Sequence, residues 1–233
     1  TDAIDWGYIR RWEKIQLNTS LYVNKNTDVS QFARRESGDF VNGVPLIISS
    51  PINIGEEYRT GFEFTLNYSP YKWWKLNSNF NFFAVQTRGD FTYTDFNGNK
   101  VVQNFDNDAT SWSTRLTSKI TLPAKIDWQT NMSYNGPQAN AQGKRLGVFG
   151  MNLAFSKDVL KDKGTVAFNI SDVFNSRKMI SETYLPGIVS SYSEMQWRER
   201  QFTLSFTYRF NKPKNEREKP KKNMNEGEME FQG

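Results

Sequence analysis

Apolar and polar side chains alternate one by one along run after run of this chain, and a two-residue period is the mark of a strand whose two faces meet unlike surroundings. The last run is the most regular: Phe202, Leu204, Phe206, Tyr208 and Phe210 against Gln201, Thr203, Ser205, Thr207 and Arg209. Seven others precede it. Leu17 to Val23, Phe62 to Tyr68, Trp74 to Phe82 and Trp112 to Leu122 come first, then Ile126 to Tyr134, Phe149 to Phe155 and Val166 to Ile170. About eight strands are expected, each near the length that a tilted strand needs to cross a bilayer.

Composition decides between a soluble and a membrane-embedded version of that pattern. Aromatic residues make up 15% of the chain while all hydrophobic types together reach only 37%, and mean hydropathy is −0.71. A soluble core built around so many rings would need more aliphatic filling. No stretch approaches the roughly 18 apolar residues of a spanning helix, whereas the alternating strands of a barrel average out as hydrophilic. The expected fold is therefore all-β: a transmembrane, antiparallel, up-and-down β-barrel.

The connections support this. Tight links are expected at Ser69-Pro70-Tyr71-Lys72, at Pro123-Ala124 and from Lys157 to Gly164, with longer polar segments at 34–52, 88–110, 135–143 and 174–192. Short turns on one side and long loops on the other suit an outer-membrane barrel, with the loops around Asn97, Gln138 and Pro186 outside the cell and Lys72 in the periplasm. Aromatics gather toward the short-turn side. Tyr68, Trp73, Trp74, Trp128 and Phe155, with Tyr71, Tyr208 and Phe210, form an expected interfacial girdle at headgroup level. Residues 1–210 thus read as barrel. Residues 211–233 read as a disordered periplasmic tail, basic at Lys212 to Lys222 and acidic at Glu226 to Glu230. There is no initiator Met and no export signal at Thr1, and the abrupt opening favours a piece of a longer chain.

Three segments carry a family resemblance. The terminal run of alternating aromatics through Phe202, Leu204, Phe206, Tyr208 and Phe210 resembles the signal that hands outer-membrane barrels to their insertion machinery. Asn53-Ile54-Gly55 followed by Tyr58-Arg59-Thr60-Gly61-Phe62-Glu63 is similar to a strand start in TonB-dependent receptor-like barrels of the Bacteroidetes type. Ser171-Asp172-Val173-Phe174-Asn175-Ser176-Arg177-Lys178 is similar to the D-x-F-N segment near the end of those barrels. The resemblance, from about Trp12 to the last residue, implies the C-terminal part of a barrel of about 22 strands with a plugged lumen. It implies uptake of a bulky nutrient or metal chelate across the cell outer membrane. The implied partners are outer-membrane lipid, a plug domain of the same polypeptide, the TonB system and the insertion machinery, with a surface lipoprotein as a further candidate.

Chemistry is sparse by comparison. Histidine and cysteine are both absent, which removes the commonest general base, the commonest zinc ligand and any thiolate. No phosphate-binding glycine motif occurs, and a net charge of +5 is no nucleic-acid footprint. Asp106 and Asp108 lack the glycine and distal Glu of a calcium loop, and Glu56-Glu57 beside Arg59 reads as a strand-end charge cluster. No catalytic residue, metal site or cofactor is expected, and an enzyme is disfavoured. Amide-rich positions such as Gln16, Asn18, Asn67, Asn77, Asn79 and Asn131 are expected on the lumen side. Phe91, Tyr93, Phe96, Phe105, Tyr184 and Tyr192 read as loop-on-loop packing ahead of ligand stacking. Besides the transporter, two non-transporting readings stay open: a small self-closed eight-stranded barrel, allowed because eight is even and both chain ends are expected on the short-turn side, and a receptor-like structural subunit of a larger outer-membrane assembly.

Overall fold

The computed structural model describes residues 1–95, 98–185 and 188–210. Asn97, Pro186, Phe96 and the tail 211–233 lie outside the described residues. In chain order the strands are β1 (Asp2–Arg11), β2 (Ile15–Asn26), β3 (Ser30–Val41), β4 (Val44–Asn53), β5 (Glu56–Tyr71), β6 (Trp74–Arg88), β7 (Asp90–Thr94), β8 (Lys100–Asn104) and β9 (Asn107–Leu122). They continue with β10 (Ile126–Asn135), β11 (Gln138–Asn140), β12 (Gly143–Arg145), β13 (Val148–Val159), β14 (Gly164–Ser171), β15 (Met179–Leu185), β16 (Val189–Met195) and β17 (Gln201–Tyr208).

Nine of these form one sheet in the order β1-β2-β5-β6-β9-β10-β13-β14-β17, and every pairing in it is antiparallel. All eight expected runs are wall strands. The ninth, β1, went unrecognised, because its ten residues carry Arg10 and Arg11 and set Ile9 out of phase with Ile4, Trp6 and Tyr8.

Register carries one parity across the whole sheet. Leu21 faces Phe62, which faces Phe82, which faces Trp112. Trp128 faces Phe155, which faces Phe168, which faces Leu204. On the opposite parity Asn67, Asn77, Thr117, Asn131 and Asn152 form a row of neighbours. A one-residue slip at any seam would turn a strand's apolar set onto the polar face, so the pattern fixes the register. The apolar face is bare, with Trp6, Leu204 and Phe202 each more than 60% exposed. Rings stack along it, Phe64 on Phe80 at 5.4 Å and Trp128 on Phe155 at 5.9 Å.

Consecutive wall strands are joined on one side by short links, 12–14, 72–73, 123–125 and 160–163. Two of these corrections are local. β5 runs through Pro70 to Tyr71, and the register shift between Tyr68 and Tyr71 accommodates a proline that cannot donate to the ladder. β13 continues to Val159, so the last turn is shorter than expected. The long connections on the other side are not open loops. They form the hairpins β3–β4 and β7–β8 and a four-stranded sheet ordered β11-β12-β15-β16.

The topology also corrects the self-closed alternative. With nine wall strands, β1 and β17 run in the same direction, and Thr1 lies on the long-loop side, opposite the end of β17. These two edges cannot zip together antiparallel, and no β1–β17 pairing exists among the described residues.

The parity makes a quantitative prediction. Lys placed at Leu116, Phe168 or Leu204 should cost roughly 2–4 kcal/mol of membrane-embedded stability, and far less at Thr117, Asn169 or Thr203. Unfolding titrations in lipid vesicles measure the difference, and equal costs on both parities would contradict a lipid-facing wall.

Candidate functional site

The residues expected to serve insertion and interface fall on the last strand, on the apolar parity of the wall and at its short-turn end. Phe202, Leu204, Phe206 and Tyr208 line the apolar face of β17, whose outer edge is unpaired among the described residues. Phe210 lies just beyond the strand, 85% exposed, with its ring 4.8 Å from that of Tyr208. At the short-turn end Tyr71, Trp73 and Trp74 form a stacked series with centroids 5.2 and 6.2 Å apart. Trp74 differs from an ordinary girdle ring in that its indole N–H donates to Ser118 along the sheet. Tyr68 lies on β5 and Trp128 and Phe155 on β10 and β13, all of the apolar parity. A second aromatic group, unrecognised in the sequence, sits at the long-loop end. There Trp112 packs on Tyr134 at 4.5 Å and Phe149 on Phe174 at 5.8 Å.

The polar face is hydrogen-bonded across strands rather than simply wet. Asn77 donates to Asn67, Asn79 to Thr65, and Thr117 to Asn131. Higher up, Tyr22 lies over Gly61 and donates to Asn81; a Cβ at Gly61 would overlap the Tyr22 ring. Two ion pairs lie on this face, Arg59 with Glu57 at 3.4 Å and Lys119 with Asp127 at 3.0 Å.

The buried apolar cluster lies among the long connections, not in the wall. Ala33, Ile52, Ile54 and Phe105 pack together, with Val29 and Phe91 against them. This is the loop-on-loop packing expected of Phe91 and Phe105; Tyr93 stacks on Phe91, while Tyr184 and Tyr192 stay exposed. The Asn53-Ile54-Gly55 motif acquires a reason here. Gly55 and Gly89, both at positive φ, are where the two hairpins leave the wall in contact, and a Cβ on Gly89 would land on the Ile54 carbonyl. The neighbouring charges are structural as well: Asp106 accepts from the Gly89 N–H, and Asp108 pairs with Arg88 at 2.7 Å.

The second motif is a turn held by one buried carboxylate. Asp172, at positive φ, accepts from the backbone N–H groups of Ser176 and Arg177, and its own N–H donates to Asn152. Asn175 accepts from the Arg200 N–H and from the Gln196 side chain, tying the far end of the loop back to its start. Phe174 is thereby turned outward onto the apolar face, and Arg177 is turned inward over Gly150. Lys178 in the same loop bonds Glu194 at 2.6 Å, and that bond holds the Glu194 carboxyl below the usual carboxylate range.

Above the polar face the loop sheet acts as a roof. The buried side chain of Gln142 accepts from the Arg34 N–H and donates to the Arg34 carbonyl, copying a strand neighbour across 108 residues of sequence. The Arg34 guanidinium donates to Thr183 at 2.8 Å. Hairpin β3–β4 is thus pinned to the β11–β12 turn and to β15, and a half-open cleft of about 620 Å³ lies between roof and wall. Sequence reasoning gave no sign of Gln142, since a lone amide in a polar loop has no distinguishing pattern. The Asp172 turn had a readable cue in its i, i+4 spacing of Asp and Ser.

An antiparallel wall with one bare apolar face, one hydrogen-bonded polar face, and short and long connections on opposite sides agrees with the comparison to known families. The outer membrane protein beta-barrel family matches residues 1–208. The chain belongs to that family. Its location is accordingly the outer membrane. No curated protein and no solved structure matches the chain. Among the described residues no helix is long and apolar enough to cross a membrane, as a wall of strands requires none.

The Asp172 turn generates a test. Asp172→Ala removes the shared acceptor of two part-buried N–H groups, at a cost of about 0.5–1.5 kcal/mol each. Urea unfolding of the refolded protein in detergent should show a loss of that size, with a smaller loss for Asp172→Asn. Unchanged stability in the alanine variant would remove the turn from the account.

Proposed function

We propose that this wall is part of a larger, plugged barrel of the TonB-dependent receptor type, which takes up a bulky nutrient or metal chelate. The observation that carries the reading is the polar face with its roofed chamber. A wall made only to sit in lipid needs no roofed, hydrogen-bonding cleft on its inner side. The direction of the two edges adds support. Outer-membrane barrels of single chains have an even number of antiparallel strands, so β1 and β17 are joined through an odd number of further strands; in a wall of about 22 that number is about 13. Beyond their cross-strand bonds, the amides of the polar face keep further donor and acceptor sites to offer to a plug.

The same roof supports a second reading, a receptor-like barrel that serves as a structural subunit of a larger outer-membrane assembly. A roof pinned by Gln142 obstructs passage. One experiment separates the two. The whole protein, extracted from the outer membrane, is passed over the immobilised periplasmic domain of TonB. Specific retention, abolished by competing soluble TonB domain, is the expected result, and a protein that runs straight through contradicts energised transport.

A further inference from the structure

Two guanidinium groups in the roofed chamber have no carboxylate partner. The charged residues around the cavity are Arg34, Arg59, Lys144 and Arg145 against Glu57 and Glu182. Both acids are already engaged, Glu57 with Arg59 at 3.4 Å and Glu182 with Lys144 at 3.1 Å. The nearby Asp108 is engaged by Arg88. Arg34 and Arg145 therefore supply an uncompensated positive charge.

Their placement is specific. Arg145 on β12 stands opposite Ser181 on β15, and Arg34 bonds Thr183 two residues further along the same strand. Ser181 and Thr183 share a strand face, and their partners across the hairpin are Ser193 and Ser191. All four hydroxyl residues line the cavity. The chamber roof thus presents a patch of four hydroxyls, with Arg145 beside Ser181 and the Arg34 guanidinium bonded to Thr183.

Arg34 is not needed there as a strut. Gln142 pins the hairpin through the Arg34 main chain, both N–H and carbonyl, independently of the side chain. A guanidinium has five N–H donors in a planar fork. Among the described residues that of Arg34 is bonded to one hydroxyl, and Arg145 is exposed and forms no ion pair. Such forks match the paired oxygens of an oxyanion, and hydroxyls complete its shell as neutral donors.

We propose that the Arg34–Arg145 patch binds an oxyanion group, carboxylate or phosphate, on a solute that enters the chamber. The site needs only the chamber and holds whether or not passage is energised by TonB. A neutral solute would leave both cations unused, so the patch selects for charge.

Isothermal titration of the refolded protein in detergent tests this with three probes: citrate, pyrophosphate and the neutral disaccharide maltose. Citrate or pyrophosphate should bind, and binding should weaken with added salt. It should fall at least about tenfold in Arg145→Gln and further in Arg34→Gln/Arg145→Gln, with maltose giving the same trace throughout. Arg145→Gln breaks no bond of the roof, so its loss of binding is not a folding defect. Preference for citrate over pyrophosphate, or the reverse, names the oxyanion. Folded wild-type protein that binds neither anion, or variants that bind them as the wild type does, would overturn the proposal.

Discussion

A strand that crosses hydrocarbon has no water to satisfy its N–H and C=O groups, so each must find a partner in a neighbouring strand. That constraint organises this chain. It accounts for nine consecutive antiparallel neighbours with no crossover, and for tight links that return the chain at once into the sheet. It also accounts for the absence of a conventional core between wall strands. Side chains of one parity are left to solvate the wall in lipid and those of the other to face water, and the sequence alternates because those two surroundings do.

Where the strands emerge from that constraint, ordinary protein chemistry resumes. β5 and β9 are each 16 residues long, more than the 9–11 a spanning strand needs, and residues 107–112 of β9 run past its ladder with β10 on the long-loop side. There the chain carries ion pairs, the buried Ile54–Phe105 cluster, the Asp172 turn and the Gln142 clamp. These features give the long connections a fixed shape, and the fixed shape makes a chamber. The division of labour follows from solvent: the wall is specified by a repeating pattern, the roof by single contacts.

The same division explains what was legible in the sequence. Eight strands, their faces and the side on which the short turns lie could be read because each is written many times over, as in Phe202 to Phe210. β1 escaped because two arginines and an out-of-phase Ile9 blur its alternation, and with it went the count, the direction of the edges and the self-closed alternative. The loop strands escaped for another reason. β11 and β12 have three residues each, too few for a period to show, and their position depends on Gln142 reaching Arg34 from 108 residues away. The two motifs were visible as patterns before their physics was: Gly55 is required by the close approach of Gly89, and Asp172 by two backbone N–H groups.

The central claim is that one parity of this sheet faces lipid and the other faces water. Because the chain has no cysteine, single cysteines along β9, from Arg115 to Ile120, can each carry a nitroxide label in the protein reconstituted into lipid vesicles. Collisional accessibility to oxygen, which concentrates in lipid, and to a water-soluble nickel chelate reads the surroundings residue by residue. The account expects oxygen maxima at 116, 118 and 120 and nickel maxima at 115, 117 and 119, the two profiles out of phase by one residue. Profiles that rise and fall together, or that show no two-residue period, would contradict it.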